Sequence, residues 1–325
     1  MLKVSEMNAD IVRLLREVAH LRGPKSQAGI AFENAARSVE SLNYNVRTRG
    51  KVVDQRIRGV GPSIGALVDE FIATGSFKGH AELVANAAIR DRLTKIIGVG
   101  EVTAAEFIAK GIKSVDDLRR EVRAGTITLT TAQSYGLKYY DDLNTRIPRS
   151  EIIEIETVIR GKFARLTGDH RTRVEICGSY RRGAATSGDI DVIVCRDLYK
   201  PTLLKDFADA LGGETPIIAS GREKLSYLYK HSERMRQIDV LLVRKAQFPS
   251  ALLYFTGSWQ LNAAMRRIAA QKGYRLNEHG LFRIKNGKVS KTSIRLMNEK
   301  SIFDALGLEY LEPYERAEPP KSWSA

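Results

Sequence analysis

Two aspartates, Asp189 and Asp191, stand two residues apart in a segment with the composition of a β-strand, residues 189–195 (DIDVIVC). Because side chains alternate between the two faces of a strand, both carboxylates should point to one face, roughly 7 Å apart. Two like charges at this spacing repel, and one of them tends to retain its proton unless a cation lies between them. The pair is therefore a candidate metal site. The apolar residues that alternate with it should face a core: Ile190, Val192 and Val194.

A turn rich in glycine and arginine lies just before this pair, at residues 178–183 (GSYRRG), and Gly188 directly precedes the first aspartate. Backbone N–H groups in such a turn, and the guanidinium groups of Arg181 and Arg182, are good donors to phosphate oxygens. Carboxylates that can bind a metal, next to a turn that can bind phosphate, indicate nucleotidyl transfer.

A third carboxylate, Asp239, lies in another strand-like segment, residues 237–241 (QIDVL). On a neighbouring strand it would face Asp189 and Asp191, with its apolar neighbours on the opposite face. Three oxygen ligands in a half-open site suit Mg²⁺, which keeps water molecules and takes further ligands from substrate phosphates. Two such ions, roughly 3.5–4 Å apart, could activate a 3′-hydroxyl and neutralise a leaving pyrophosphate.

The elements that must hold these residues change along the chain. Apolar residues recur at helical spacing up to about residue 145, and a helix is predicted over residues 150–166 with Ser150 as its N-cap. Four short strands should follow, at residues 173–177, 189–195, 224–229 and 237–243. Further helices are predicted over residues 200–211 and 259–272. The pattern is therefore a helical front, a mixed middle and a small helical end.

A repeat is visible in the helical front. Residues 57–64 (IRGVGPSI) match residues 96–103 (IIGVGEVT), and each copy opens an apolar helical pattern. A Gly-Val-Gly turn between two helices leaves N–H groups free at a helix N-terminus, where one phosphate of a DNA backbone can bind without any reading of bases. The repeat predicts two helix-hairpin-helix elements, with these DNA-binding residues: Gly59, Val60, Gly61, Gly98, Val99 and Gly100.

Composition favours an anionic polymer as partner, because the 325-residue chain carries a formal net charge of +14. No apolar run approaches the ~18 residues of a membrane span, and the N-terminus lacks the apolar core of a signal peptide. Cys177 and Cys195 each end an apolar strand-like run, so we expect buried free thiols. The sequence predicts a soluble intracellular protein that does not bind membranes.

Together these motifs resemble those of the family X DNA polymerases, of the polymerase beta type, over nearly the whole chain. GSYRRG and GDIDV alone would indicate only the wider nucleotidyltransferase fold. The family is indicated by further segments: 113–119 (KSVDDLR), 136–140 (GLKYY), 146–149 (RIPR), 254–258 (YFTGS), 276–281 (LNEHGL) and 301–304 (SIFD).

The resemblance implies an α+β multidomain fold. Helix-hairpin-helix domains come first, followed by a nucleotidyltransferase-type palm with a mixed sheet and a small carboxy-terminal nucleotide-binding subdomain. The expected divisions are a lyase-like domain with the first hairpin (1–85), a DNA-binding subdomain with the second hairpin (86–149), the catalytic palm (150–258), and the subdomain for the nascent base pair with the tail (259–325).

The implied function is a template-directed DNA polymerase that fills short gaps in DNA repair, with dNTPs as substrates and pyrophosphate as product. The resemblance also implies a monomer acting on gapped or nicked duplex DNA. Two Mg²⁺ ions are the implied cofactors, with Mn²⁺ as an alternative. A monovalent cation at the helix-hairpin-helix turns is a further expectation.

Catalytic and phosphate-binding roles carry over one position at a time. Asp189 and Asp191 would bind both metals, and Asp239 would bind the catalytic ion and help take the primer proton. The triphosphate would be held by four residues: Arg146, Ser179, Arg182 and Gly188.

Contacts to the sugar and base are implied in the same way. Tyr254, Phe255 and Gly257 would line the sugar and disfavour a 2′-hydroxyl, with the Gly257–Ser258 peptide in the cis form. Asn262 would face the minor-groove edge of the incoming base, and Arg266 the template side.

One departure concerns a second activity of the family, removal of a 5′-deoxyribose phosphate through a lysine Schiff base. A lysine attacks the sugar aldehyde only as a free amine beside a phosphate-binding cluster. Here Leu67, on an apolar helical stripe that indicates a core position, stands where that lysine is expected. Ser63 and Ala28 replace supporting lysines, and Phe32 replaces a tyrosine. We therefore predict weak or absent lyase activity.

Other departures are milder. Gln237 takes a position usually held by an arginine that pairs with the catalytic carboxylates, and Trp259 and Ala263 replace polar residues near the nucleotide. Contacts to the base should therefore depend more on stacking than on hydrogen bonds. The short connection over residues 230–236 argues against the long loop of template-independent relatives. Since no long segment precedes the first helix, we also expect no amino-terminal appendages of the kind found in some relatives.

Two other functions remain open on the sequence. One is a nucleotidyltransferase that acts on RNA ends, against which the tandem hairpins and YFTGS argue. The other is a DNA-binding scaffold with an inactive site, against which the three intact aspartates argue. A preference for RNA primers would favour the first, and incorporation that survives Asp191→Ala would favour the second.

Overall fold

A computed structural model describes residues 8–168, 172–196 and 200–324. The chain forms two compact units, one ending at Leu137 and the other starting at Lys138. Within the described ranges, no helix is both long enough and apolar enough to cross a membrane. The finer division into four domains stays a prediction.

The first unit is helical, as predicted. Its helices are α1 (Ala9–Leu21), α2 (Gln27–Glu40), α3 (Pro62–Thr74), α4 (His80–Leu93), α5 (Glu101–Ala109), α6 (Val115–Arg123) and α7 (Thr131–Lys138), the last of which ends at the boundary. The apolar stripe of α1 is buried through Ile11, Leu15 and Val18, which pack against α2 in one core. Ser26 caps α2, its hydroxyl accepting a hydrogen bond from the N–H of Gly29.

The second unit mixes helices and strands. Its helices are α8 (Tyr140–Leu143), α9 (Arg149–Thr167), α10 (Gly178–Arg181), α11 (Leu203–Leu211), α12 (Phe248–Thr256), α13 (Trp259–Gln271) and α14 (Lys300–Ala305). Its strands are β1 (Ile147–Pro148), β2 (Arg173–Ile176), β3 (Thr186–Ser187), β4 (Ile190–Arg196), β5 (Ile217–Ser220), β6 (Lys224–His231), β7 (Arg234–Arg244), β8 (Tyr274–Asn277), β9 (Gly280–Lys285) and β10 (Lys288–Ser293). The α+β architecture predicted from the sequence is confirmed.

A five-stranded sheet with the order β2-β4-β7-β6-β5 forms the centre of this unit. Only β4 and β7 run parallel, and their register places Asp191 directly opposite Asp239. Helices α9 and α11 pack on one face, together with the apolar residues predicted to face a core. Helix α12 packs on the other face, which also carries the aspartates. The alternation of side chains along β4 and β7 thus places the aspartates on the face of the sheet opposite the main apolar core.

Both cysteines follow the prediction. Cys177 and Cys195 are both buried and neither forms a disulfide, and Cys195 lies in β4. Burial raises the pKa of Cys177 well above its ordinary value, and the nearby charge of Asp191 adds to the effect. Neither observation points to a disulfide or to a metal-binding thiol.

Several predicted bounds were wrong. Ser150 is not an N-cap, because α9 begins at Arg149 after Pro148, whose fixed φ suits the position before a helix. The N–H of Arg149 donates instead to the carbonyl of Ala185 at 3.0 Å. Asp189 lies one residue before β4 rather than inside it. Strand β5 and the sheet β8–β9–β10 were not predicted as strands, since their sequences are short and polar.

Candidate active site

The glycine-rich turn is built around a close backbone approach. The N–H of Cys177 donates to the carbonyl of Asp191 at 2.8 Å, which holds the start of α10 against β4. Gly178 has φ of 57°, and a Cβ placed there would lie 2.7 Å from Oδ2 of Asp191. Both the backbone conformation and the space therefore require glycine at this position.

The three predicted catalytic carboxylates share one electrostatic environment. Burial raises the pKa of Asp191 to about 8, and the charges of Asp189 and Asp239 contribute further. The pKa of Asp189 is raised for the same reasons, burial first and then the charge of Asp239. Two carboxylates whose pKa values are raised by burial and by neighbouring carboxylate charge make a strong case for a cation between them.

The third carboxylate already has two partners. Nζ of Lys224 lies 3.4 Å from Oδ2 of Asp239, and Nε2 of Gln237 donates to Oδ1 at 3.4 Å. No three His, Cys, Asp or Glu side chains in the described residues are arranged as ligands of a single metal ion. The donor set is chemically suited to a divalent cation, but Asp239 would have to exchange Lys224 and Gln237 for that ion.

Two of the residues predicted to bind phosphate, Ser179 and Arg146, are held in place by hydrogen bonds. Ser179 donates to the hydroxyl oxygen of Ser187 at 2.8 Å. Arg146 donates through Nε to the hydroxyl of Thr186 at 3.1 Å, and through Nη2 to the Thr186 carbonyl at 2.5 Å. These contacts fix the two side chains on β3, beside Gly188.

Arg182 follows α10 directly and connects the turn to α12. Its Nη1 donates to the carbonyl of Thr256 at 2.5 Å. Burial lowers the pKa of its guanidinium, and the charge of Asp191 opposes that shift. An arginine stays charged in proteins despite such a shift, so Arg182 is a fixed cation facing the carboxylates.

The junction of α12 and α13 forms an aromatic wall. Tyr254 and Phe255 meet edge to face with their ring centroids 5.3 Å apart, and the Gly257–Ser258 peptide is cis, as the resemblance implied. Nδ2 of Asn262 donates to the carbonyl of Tyr254 at 2.8 Å. The guanidinium of Arg266 lies 4.9 Å from the centroid of the Tyr254 ring.

A buried ion cluster supports this junction and was missed from the sequence. Glu299 accepts two hydrogen bonds from Arg181, at 3.1 and 2.7 Å, and one from Arg316 at 2.5 Å. Arg181 also donates to the hydroxyl of Thr256 at 2.7 Å, and the carbonyl of Arg316 accepts from the N–H of Ser258 at 3.1 Å. Buried charges persist only when paired in this way, so the cluster fixes α10 against α12 and α14. GSYRRG pointed to Arg181, but no local pattern marked Glu299 or Arg316.

A single cavity of about 950 Å³ collects the residues predicted for this unit. It is lined by every one of them: Arg146, Ser179, Arg182, Gly188, Asp189, Asp191, Asp239, Tyr254, Phe255, Gly257, Asn262 and Arg266. Lys224 and Trp259 line it as well, and sequence reasoning had given Lys224 no role. Positively charged side chains, a carboxylate cluster and an aromatic wall therefore meet in one space.

The two Gly-Val-Gly turns of the first unit share one backbone geometry. Gly59 and Gly98 both have φ of 78°, a left-handed conformation that favours glycine. In each copy the N–H of the buried valine donates to the preceding isoleucine carbonyl at 3.0 Å; the pairs are Val60 with Ile57 and Val99 with Ile96. The repeat seen in the sequence is therefore a structural repeat.

Each turn leads directly into a helix. Gly61 precedes α3 and Gly100 precedes α5, and neither helix start has a side-chain cap. A Cβ at either glycine would meet no atom of the described structure within 4 Å. Both helix starts thus offer exposed, uncapped N–H groups, which is the arrangement that binds a phosphate.

Models of known families match the chain in four consecutive stretches. A helix-hairpin-helix domain matches residues 6–77, and the fingers domain of DNA polymerase lambda matches residues 91–144. The DNA polymerase beta palm matches residues 146–245, and the DNA polymerase beta thumb matches residues 251–317. The chain belongs to family X of the DNA polymerases.

Similar proteins of this family come from several organisms. DNA polymerase lambda of Rattus norvegicus is 30% identical over 338 residues, which cover 97% of this chain and 57% of the relative. DNA polymerase lambda of Arabidopsis thaliana is 32% identical over 299 residues, covering 83% of this chain and 55% of the relative. DNA nucleotidylexotransferase of Xenopus laevis is 23% identical over 332 residues, covering 88% and 63%. The chain thus spans a little over half the length of the polymerase lambda relatives.

The four positions that the resemblance assigns to lyase residues have neither amines nor phenolic hydroxyls in this chain. Leu67 is half-buried at the edge of the first unit's core, a less interior position than predicted, and Ser63 and Ala28 are exposed. Phe32 is buried, with the guanidinium of Arg22 5.4 Å from its ring centroid. No amine occupies any of the four predicted lyase positions.

Proposed function

We propose that this chain is a template-directed DNA polymerase that fills short gaps in duplex DNA. The observation that carries the proposal is the cavity of the second unit, where three carboxylates, the GSYRRG turn and the YFTGS wall meet. Family membership supports the same conclusion, because the relatives named DNA polymerase lambda match most of this chain.

Asp189, Asp191 and Asp239 would hold two divalent ions, Mg²⁺ or alternatively Mn²⁺. Bound there, the ions would polarise the phosphate oxygens and make the primer hydroxyl more acidic. The raised pKa values of Asp189 and Asp191 show that the nearby cations, such as Lys224, do not offset burial and carboxylate repulsion, which agrees with a site suited to a further cation.

The triphosphate of the incoming nucleotide would lie against Ser179, Arg182, Gly188 and Arg146. The primer O3′ attacks the α-phosphorus and forms the new phosphodiester bond, while the bond from the α-phosphorus to the bridging oxygen breaks and pyrophosphate leaves. Asp239 accepts the proton of the primer hydroxyl. Arg182, fixed by the Thr256 carbonyl, stays in place to stabilise charge on the phosphates.

Tyr254, Phe255 and Gly257 would set the preference for a deoxyribose. The edge-to-face contact of Tyr254 with Phe255 and the hydrogen bond from Asn262 hold this wall in place. A 2′-hydroxyl would therefore clash with a rigid, closely packed surface. Arg266, on the same helix as Asn262, would face the template.

The hairpin turns of the first unit would hold the DNA by its backbone. The first turn would bind one phosphate at the start of α3, and the second would bind one at the start of α5. We further propose that a monovalent cation binds at these turns. Contacts of this kind carry no sequence preference, which suits a repair enzyme that acts as a monomer on gaps or nicks in any sequence.

A template-independent transferase is the second candidate, because one relative is named DNA nucleotidylexotransferase. The connection between β6 and β7 argues against it. Only Ser232 and Glu233 join these strands, which leaves no loop that could replace a template strand.

We also propose that lyase activity is weak or absent. Leu67 has no amine, and residues 1–85 contain only four lysines: Lys3, Lys25, Lys51 and Lys78. Borohydride trapping on a 5′-deoxyribose phosphate substrate should give little covalent adduct. Efficient trapping would overturn this part of the proposal.

The deciding experiment is single-nucleotide insertion on DNA with a one-nucleotide gap, with and without a 5′-phosphate on the downstream strand. We expect insertion of the complementary dNTP, strong discrimination against the rNTP, and little gain from the 5′-phosphate. Extension of a single-stranded primer without template would favour the transferase instead. Preference for an RNA primer would favour an RNA-end nucleotidyltransferase.

A further inference from the structure

The indole of Trp259 is conspicuous in the wall of the cavity because 76% of its surface is exposed. Tryptophan carries a large apolar surface whose contact with water is unfavourable, and Trp259 is the most exposed large apolar side chain among the described residues. The chain's other tryptophan, Trp323, packs against the core at Phe303, with the ring centroids 6.3 Å apart. Trp259 therefore calls for a ligand that covers it.

The position of Trp259 is fixed by the start of α13. Ser258 caps the helix, its hydroxyl accepting a hydrogen bond from the N–H of Leu261 at 3.2 Å. Trp259 is the first residue of the helix, so the residues three, four and seven positions later share its face. This face lines the cavity with four side chains: Trp259, Asn262, Ala263 and Arg266.

The other aromatic side chains of the cavity already have ring partners. The Tyr254 ring has the guanidinium of Arg266 on it and the edge of Phe255 beside it. Within the described residues, no aromatic ring or cation lies over Trp259. Trp259 is thus the aromatic side chain of this wall with the largest exposed fraction, compared with 36% for Tyr254.

The neighbours of Trp259 offer little hydrogen bonding to a base. Ala263, one turn further along, has only a methyl group. The amide of Asn262 already donates to the carbonyl of Tyr254. A planar ligand at this place would gain contact area rather than specific hydrogen bonds.

We propose that Trp259 stacks on the base of the incoming nucleotide and sets nucleotide affinity by ring area. The inference rests on the proposed polymerase function and names the residue that determines specificity within it. Stacking does not depend on which base is offered by the template, because every base has a π-face. Purine nucleotides therefore bind more tightly than pyrimidine nucleotides, and part of this affinity persists opposite a template position that lacks a base.

The test is steady-state insertion of dATP and dTTP by wild type, Trp259→Ala and Trp259→Phe on one-nucleotide gaps, opposite the complementary base and opposite an abasic position. Loss of base stacking on an aromatic side chain corresponds to about 5- to 150-fold in affinity. We expect Trp259→Ala to raise KM for dATP at least fivefold and KM for dTTP less, on both templates, with kcat changed by less than about threefold. Trp259→Phe should recover most of the loss.

The matched control is Met297→Ala, which removes another large exposed side chain of this unit outside the cavity. It should leave both KM values unchanged. A purely structural role of Trp259 would instead lower kcat for both nucleotides equally and would not be rescued by phenylalanine, and that result would overturn the proposal.

A second measurement follows the indole itself. In a Trp323→Phe background, Trp259 is the single tryptophan, and dATP added to protein bound to gapped DNA with a dideoxy-terminated primer should quench its fluorescence. Absence of quenching, together with KM values unchanged in Trp259→Ala, overturns the inference while the polymerase function stands. If wild type inserts no nucleotide at all, the proposed function itself fails.

Discussion

The hairpin turns of the first unit and the cavity of the second unit both suit phosphate, but by different means. Each turn is made largely of backbone, with a left-handed glycine and a buried valine. In the second turn the neutral side chain of Gln133 also donates to the carbonyl of Gly98 at 3.0 Å. The cavity is lined by charged side chains from β4, β6, β7, the α10 turn and α13. In the proposed function, the turns would bind phosphate with neutral dipoles, and the cavity would change the covalent bonds of phosphate.

This difference has a consequence for mutation. A turn that depends on local backbone contacts and, in the second copy, on Gln133 of the same unit can be disturbed without effect on distant chemistry. The cavity depends on contacts such as Arg181 with Glu299, which are 118 residues apart in sequence. Substitutions in the second unit should therefore affect turnover, and substitutions in the turns should affect DNA affinity alone.

The largest expected effect is that of Asp191→Asn. The variant replaces a carboxylate that would bind the metal ions with an amide, and it should lower the rate of nucleotide insertion on the order of 10³-fold or more. Affinity for gapped DNA should stay within about twofold of wild type if the turns supply the backbone contacts. Rapid-quench insertion and a fluorescence binding assay measure the two quantities separately.

The control for this variant is Asp209→Asn, the same change at an exposed position in α11, where Asp209 pairs with Lys205. It should leave the insertion rate unchanged. If Asp191→Asn lost DNA affinity as strongly as turnover, the division of labour between the two regions would not hold.

The second prediction concerns stability without divalent ions. The pKa of Asp191 is raised to about 8 in the folded protein, so between about pH 4 and pH 8 the folded state holds a proton that the unfolded chain has released. Stability from this group is therefore present at low pH and is lost as the pH rises towards 8. We expect Asp191→Asn to raise the melting temperature at pH 8 by several degrees, but not at pH 4.

Thermal unfolding in the presence of a chelator measures this effect. Added Mg²⁺ should stabilise wild type more at pH 8 than at pH 5, because the ion binds the ionised carboxylates. Equal melting temperatures of wild type and Asp191→Asn at pH 8 would mean that the cluster is not electrostatically strained.

The sequence predicted the two regions unequally well, for a physical reason. The turns and the pairing of Asp191 with Asp239 depend on local patterns, namely a repeated Gly-Val-Gly and the alternation of side chains along β4 and β7. Lys224 and Glu299 come next to their partners, Asp239 and Arg181, only in the folded chain. No local sequence pattern indicates either contact. The residues that could not be predicted are thus those that position or neutralise the predicted ones: Lys224 beside Asp239, and Glu299 beside Arg181.

The third prediction tests how closely the cavity is fitted. Gly178→Ala places a Cβ 2.7 Å from Oδ2 of Asp191 and strains a backbone with φ of 57°, so either the carboxylate or α10 must move. We expect the insertion rate to fall about 10- to 100-fold, because misplacement of a reacting group by about 1 Å costs that much. Gly161→Ala, at a helical position of α9 with open space around it, is the matched control and should leave the rate unchanged.

The smallest expected effect lies in the turns. At Gly100 the backbone is extended, with φ of −90°, and a Cβ meets nothing within 4 Å, so an aspartate fits there without strain. Asp is a good N-cap, and Gly100→Asp should keep or slightly increase the stability of α5. Its charge, however, lies where a phosphate would bind, and we expect affinity for gapped DNA to fall about 5- to 20-fold at low salt.

Gly100→Asn separates charge from capping, since its side chain occupies the same N–H groups without a charge. The expected order of DNA affinity is wild type, then Asn, then Asp, with the gap between the last two closing as salt screens the repulsion. Insertion rates at saturating DNA should be equal in all three proteins. A lower rate at saturating DNA would mean that the turn takes part in the chemistry, and equal affinities would mean that the helix start does not contact phosphate at all.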